Sequence, residues 1–154
     1  MAFAKFYLND PAAPKRNRPT HLGANVLLVW DGKLLMERRR DCEVWGLIGG
    51  GIKGREEEAR AIAREVWEET GLRIPPAHFE RLRVYGAPGR IASYADGSVW
   101  QMVIILYRLD LDRKPELRKS AESKELRFFS KEELRTLDII CTHRDIVLDY
   151  LDQL

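Results

Sequence analysis

Three carboxylates crowd one turn of a helix in the stretch GGGIKGREEEARAIAREVWEETGL, residues 49–72. On a wheel of about 100° per residue with Glu65 at the origin, Glu69 falls at about 40° and Glu68 at about −60°. Ala59, Ile62, Ala63 and Val66 gather on the adjoining face, so one side of the helix packs while the next presents acid. Like charges at i,i+3 and i,i+4 each cost about a few tenths of a kcal/mol, so something positive should relieve them. Two i,i+4 pairs, Glu56 with Arg60 and Arg64 with Glu68, could do so and leave only a solvated charged face. The preceding GLIGGG tips the balance, because its bare backbone carbonyls and N–H groups lie next to the acids. A hard cation such as Mg²⁺ takes oxygen ligands, keeps several waters and commonly joins a few carboxylates to substrate phosphate. The cluster suits that use.

These residues need elements to hold them. GANVLLVW reads as a strand, DGK as a hairpin turn and LLMERR as the returning strand. DCEVWGLIGGG reads as a glycine-dense loop, followed by a helix from about Arg55 to Thr70 with Gly71 as its C-terminal cap. Beyond Pro75 and Pro76, FERLRVYGAP, RIASY and VWQMVIILYRLDL read as strands, the last two joined across the turn ADG. ELRFF is a further short strand, and Ser130 with Glu133 forms a capping box for a brief helix. Thr142 is placed to cap a final helix whose apolar stripe is Ile146, Val147, Tyr150 and Leu151. Strands and helices mix without a βαβ rhythm, which makes the class α+β with a helix-flanked mixed sheet.

The 154 residues suit one domain, expected over 21–154, with residues 1–20 as an extended, proline-punctuated arm. The basic run PKRNRP in that arm reads as a solvated lead-in. With 26 Lys and Arg against 24 Asp and Glu, the formal charge of +2 argues against a nucleic-acid partner. The two cysteines, Cys42 and Cys141, have neither CxxC nor Cys/His spacing, so no disulfide framework or zinc site is expected. Apolar runs fall well short of the roughly 20 residues of a membrane span. A soluble protein of the reducing cytoplasm, with no targeting segment and no membrane partner, is the expectation.

The spacing itself carries a resemblance. Gly50, five residues, Glu56, seven residues, Arg64, Glu65, aliphatic Val66, one residue, Glu68, Glu69, one residue, Gly71 and aliphatic Leu72 match the signature box of the Nudix hydrolase superfamily at all nine constrained positions. Looser similarity runs from HLGANVLLV through YADGSVW to ELRFFSKEEL and looks most like the bacterial ADP-ribose pyrophosphatase branch. One departure is Ile48, where members usually carry proline.

The resemblance implies an α/β/α sandwich and hydrolysis of the pyrophosphate bond in a nucleoside diphosphate linked to another moiety. It implies Mg²⁺ or Mn²⁺ on Glu65, Glu68 and Glu69 with the Gly50 carbonyl, and a structural pairing of Glu56 with Arg64 beside the Gly71 cap. The base that activates water is Glu65 or Glu68 of the box, or a carboxylate on a separate loop, where Glu122 and Glu125 stand. Among Arg38, Arg39 and Arg40 at most two can face the cleft, and the resemblance favours a phosphate contact from Arg38 or Arg39. Tyr94, with Trp45 and Trp100, could stack on a base. His21, His78 and His143 are isolated and are assigned no chemistry. ADP-ribose or a related sugar nucleotide is the first substrate, cleansing of oxidised triphosphates such as 8-oxo-dGTP the second, and a non-catalytic nucleotide sensor the third. A homodimer, with loops from a partner subunit, remains open.

Overall fold

The computed structural model describes residues 3–154. Its centre is two long strands, β2 (His21–Trp30) and β7 (Val99–Leu111), paired in parallel over ten residues from His21↔Met102 to Trp30↔Leu111. Neither strand has a polar face. Along β2, Val26 and Leu28 pack into one core while Leu27 and Val29 pack into the other, so the strand is buried on both sides.

β3 (Lys33–Arg39) returns from β2 through Asp31 and Gly32, whose φ values of 52° and 69° make the left-handed hairpin turn that DGK announces. Trp45–Gly51, expected as a loop, is instead strand β4, paired antiparallel with β3 on one side and β2 on the other. Glycine weakens a strand locally, but a backbone ladder on both edges more than offsets that loss. Ile48 fits this setting: it pairs with Val26 and is fully buried, where a proline would interrupt the ladder.

Helix α1 (Glu58–Thr70) packs over one face, where Ile62 and Val66 join Val26, Leu28, Leu35 and Ile48. It starts three residues later than Arg55, because Glu56 folds back to accept the Lys53 N–H (3.1 Å). It ends on Gly71, whose φ of 79° is the left-handed cap that donates to the Trp67 carbonyl. β5 (Glu80–Tyr85), β6 (Arg90–Ser93) and β8 (Ser123–Phe129) extend the sheet, and α2 (Lys131–Thr136) opens with the Ser130/Glu133 capping box. α3 (Cys141–Tyr150) covers the opposite face with Ile146 and Val147. The result is an α/β/α sandwich.

Two expectations are corrected here. Of the arm expected over 1–20, residues 1–2 lie outside the described residues, but Lys5–Leu8 forms β1, paired with β6, and is part of the sheet. Residues of the basic run are tied down as well: Asn17 exchanges three hydrogen bonds with Val99 and Gly97, and Arg16 donates to Gln101 (2.6 Å). Thr142 does not cap α3. Ile140 is the cap, fixed by its N–H to the Trp45 carbonyl (2.9 Å), and Thr142 lies buried inside the first turn. Among the described residues no helix is long and apolar enough to cross a membrane.

Candidate active site

The acid face of α1 lies against the glycine end of β4. The Glu65 carboxylate is so close to Gly50 that a Cβ there would stand 2.6–2.8 Å from its atoms. Glu69 is buried and accepts the Gly49 N–H at 3.0 Å. Gly49 itself has φ of 145°, and a side chain on it would collide with the Ala24 carbonyl at 2.1 Å. The glycines therefore let the strand backbone press against two carboxylates at once.

Arg64 organises the rest. Its Nε and Nη2 donate to Glu56 (2.8 and 2.9 Å), Nη2 also reaches the Gly51 carbonyl (3.1 Å), and Nη1 is shared between Glu65 (3.0 Å) and Glu68 (3.2 Å). The fork clamps the loop 51–56 to the helix and holds the Glu56 carboxyl down at about 2. The alternative pair, Glu56 with Arg60, does not form; Arg60 stands 3.8 Å from Glu57 in solvent. Gly71 lies against Arg118 (3.1 Å from a Cβ placed there) and serves only to end the helix.

Glu37 was not expected from sequence. It lies on β3, buried, with Oε2 accepting the Ser123 hydroxyl at 2.6 Å, and its carboxyl faces Glu69. Burial, and then the charges of Glu37 and Glu65, push the Glu69 carboxyl well above the usual range. Burial likewise raises Glu65, against the pull of Arg64 and with help from Glu68 and Glu122. A charged residue interrupting the apolar run of β3 was the available signal.

These residues fit a hard divalent cation. All the side-chain donors are oxygens, bare glycine backbone lies beside them, and the buried negative charge is only partly compensated. Among the described residues no three acids form a ready ligand cage, since Arg64 engages Glu65 and Glu68 and the Gly49 N–H engages Glu69. Mg²⁺ does not need a full cage, because substrate phosphate and waters commonly complete its shell.

The acids open onto a cavity of about 620 Å³, within the range of small-molecule sites. Glu65, Glu69, Glu122, Arg39, Arg40 and Tyr94 all line it. Glu68 is not among the described residues that line the cavity, and its side chain is 42% exposed. Arg38 is a correction: among the described residues that line the cavity it has no place, and its Nε donates to the Glu43 carbonyl (3.2 Å). The β3–β8 register shifts between Arg38 and Arg39, so the strand end turns Arg39 and Arg40 inward. Arg40 donates to the Ala121 carbonyl (2.7 Å), which sets it beside Glu122.

Glu125 is spent on Arg127 (2.6 Å), Trp45 packs on Phe129 with centroids 4.8 Å apart, and Trp100 packs on His21. None of these three lines the cavity. His21 and His143, assigned no chemistry from sequence, do line it, as does Phe6 of β1.

Fold and site together define an α/β/α sandwich in which an acid helix and a glycine-ended strand face one cavity. The NUDIX domain model matches residues 19–150, and the chain belongs to that family. Over 51 residues it is 47% identical to a MutT-like protein of Streptomyces ambofaciens, covering 33% of each chain. Over 72 residues it is 36% identical to phosphatase NudJ of Escherichia coli, covering 46% of this chain and 47% of that one. These matches thus span a third to about half of the relatives' length. A bifunctional NMN adenylyltransferase/ADP ribose pyrophosphatase from Francisella tularensis, complexed with AMP and Mn ion, shares the fold with TM-score 0.72 and 19% identity over 92% of this chain and 43% of that one. The NUDIX domain of Shewanella oneidensis NrtR, complexed with ADP ribose, does so with TM-score 0.70 and 20% identity over 94% and 92%.

Proposed function

We propose that the protein hydrolyses the pyrophosphate bond of a nucleoside diphosphate linked to another moiety, with Mg²⁺ or Mn²⁺ as cofactor and ADP-ribose or a related sugar nucleotide as first substrate. The observation that carries this reading is the pressing of Glu65 and Glu69 against Gly49 and Gly50 at the head of the cavity. Glu65, Glu69 and the Gly50 carbonyl would hold the cation, with Glu68 as the third carboxylate of the helix. A divalent cation bound there would polarise phosphoryl oxygen as a Lewis acid and lower the pKa of water.

The chain's own residues do the remaining work. Arg64 keeps the acids and the loop in register, and Arg40 faces the cavity as the phosphate contact. Glu122, which lines the same cavity as Glu65, is the base candidate outside the helix, with Glu65 and Glu68 as those within it. The base takes a proton from the attacking water as its oxygen bonds phosphorus and the bridging anhydride oxygen leaves with the bonding electrons. ADP-ribose is favoured because two fold neighbours are described with an ADP-ribose activity or ligand.

The test is hydrolysis of ADP-ribose and of 8-oxo-dGTP with Mg²⁺ or Mn²⁺, with the products identified. AMP and ribose 5-phosphate support the first substrate, and pyrophosphate release the second. Absence of turnover on a panel of nucleoside diphosphate derivatives and triphosphates, with nucleotide still bound, would convert the reading to a sensor; absence of both turnover and binding defeats it.

A further inference from the structure

The stretch of the cavity wall around Gly46, which pairs with Glu37 across the strands, is built differently. Gly46 and Gly50 lie four residues apart on β4, a rise of roughly 13 Å along a regular strand. A Cβ on Gly50 would meet Glu65; one on Gly46 would meet His143 Nδ1 at 3.2 Å and Arg39 Cδ at 3.4 Å. Arg39 pairs with Asp41 (2.5 Å) and lies over the Phe6 ring, 5.3 Å from its centroid. Tyr94 stands near enough to feel both charges of that pair. Phe6, Arg39 and Tyr94 thus give the cavity an aromatic and guanidinium wall.

His143 stands beside that wall. It is buried on the first turn of α3, and its Nδ1 accepts the Leu47 N–H at 3.0 Å. That bond leaves Nδ1 without a proton and assigns the imidazole hydrogen to Nε2. Nε2 makes no hydrogen bond among the described residues, and the residue, though buried, lines the cavity. Burial, with Arg39 and Arg90 nearby, lowers the ring's pKa to about 3, so the ring is a neutral donor across the physiological range. Its backbone is held as firmly: Arg90 bonds the Thr142 carbonyl and pairs with Asp145 (2.6 Å), fixing the start of α3 against β6.

From this we infer that His143 is a specificity-determining residue, whose Nε2–H donates to an acceptor atom of the nucleobase seated between Tyr94 and the Phe6–Arg39 stack. The inference rests on the reading of this cavity as a nucleotide site. It accounts for Gly46, because a side chain there would push the imidazole off the Leu47 N–H. It also gives the N-terminal strand a role in the site, through Phe6.

The test is calorimetric binding of AMP, GMP, CMP, UMP and ribose 5-phosphate to the full chain and to His143→Asn and His143→Gln. Asparagine reaches the Leu47 N–H but ends short of Nε2; glutamine places an N–H near Nε2 but gives up the Leu47 bond. His143→Asn should weaken the best-bound nucleoside monophosphate about tenfold and leave ribose 5-phosphate and Mn²⁺ binding unchanged, while His143→Gln retains most of the nucleotide affinity at reduced thermal stability. With ADP-ribose, His143→Asn should raise KM and spare kcat. Nucleotide affinity equal to wild type in His143→Asn, or an equal loss for ribose 5-phosphate, overturns the inference and leaves the proposed function standing. A wild-type chain that binds no nucleotide and hydrolyses no nucleoside diphosphate derivative overturns both.

Discussion

The two stretches of the cavity wall solve opposite problems. Around Gly50, buried acids are held together with one guanidinium to share, and their charge calls for a cation from outside. Around Gly46, Arg39 is paired with Asp41 and Arg90 with Asp145, the Glu37 carboxylate accepts the Ser123 hydroxyl, and the buried His143 ring adds a neutral donor. The first stretch is suited to polarising and cleaving an anhydride, the second to selecting what is attached to it. Chemistry needs unbalanced charge, whereas selectivity needs a fixed hydrogen bond that a wrong ligand leaves unmade.

The comparison breaks most visibly at Glu69. Glu69→Gln should lower turnover by orders of magnitude yet make the metal-free protein more stable at neutral pH. The sign follows from the raised carboxyl: its folded-state pKa lies above the unfolded value, so stability is present at low pH and is lost as pH rises through the folded pKa. Glutamine removes that loss, and urea unfolding with and without Mn²⁺ measures it. Equal stability of the two proteins without metal would show that the acid is not held under charge stress.

Arg64→Lys comes next. Lysine cannot bridge Glu56, the Gly51 carbonyl and two helix acids at once, so turnover or metal affinity should fall about 10- to 100-fold, as for other supports of metal ligands. Retention of wild-type Mn²⁺ affinity in a titration would show that the acids position themselves. Around Gly46, His143→Asn should flatten the acid limb of stability. The folded-state pKa of about 3 lies below the ordinary 6.5, so the unfolded chain takes up a proton first and stability is lost as pH falls from 6.5 toward 3. That slope approaches about 1.4 kcal/mol per pH unit. Denaturant unfolding of both proteins at pH 4 to 7 reads the difference.

The smallest contrast sharpens the boundary between the two stretches. Arg40→Ala should raise KM for a diphosphate substrate about tenfold, whereas Arg38→Ala should stay within about twofold, as expected for a surface side chain. Equal effects would mean that the turn at the end of β3 does not sort the arginines in solution.

How much of this was legible in the chain depended on how far apart the partners lie. The Asp31–Gly32 turn, the Gly71 cap, the Ser130/Glu133 box and the acid face of α1 all rest on residues within a few positions of each other, and each stands as read. The pairing of Glu56 with Arg64 came from the resemblance and is present at 2.8 Å. The β4 segment was misread because glycine density speaks locally for a loop, while its ladder partners lie on β2 and β3. Thr142 was misread as a cap because nothing nearby announces the Trp45 bonds that start α3 earlier.

Sequence alone determined that acids share a helix face beside bare glycine backbone, since helical periodicity and the absence of side chains are properties of a short stretch. Only the tertiary structure decided that Glu37 meets Glu69, that Arg40 rather than Arg38 enters the cavity, and that His143 stands over Gly46 with its proton on Nε2. Those outcomes depend on strand register and on a hydrogen bond between residues 96 positions apart, and no local spacing encodes such a distance.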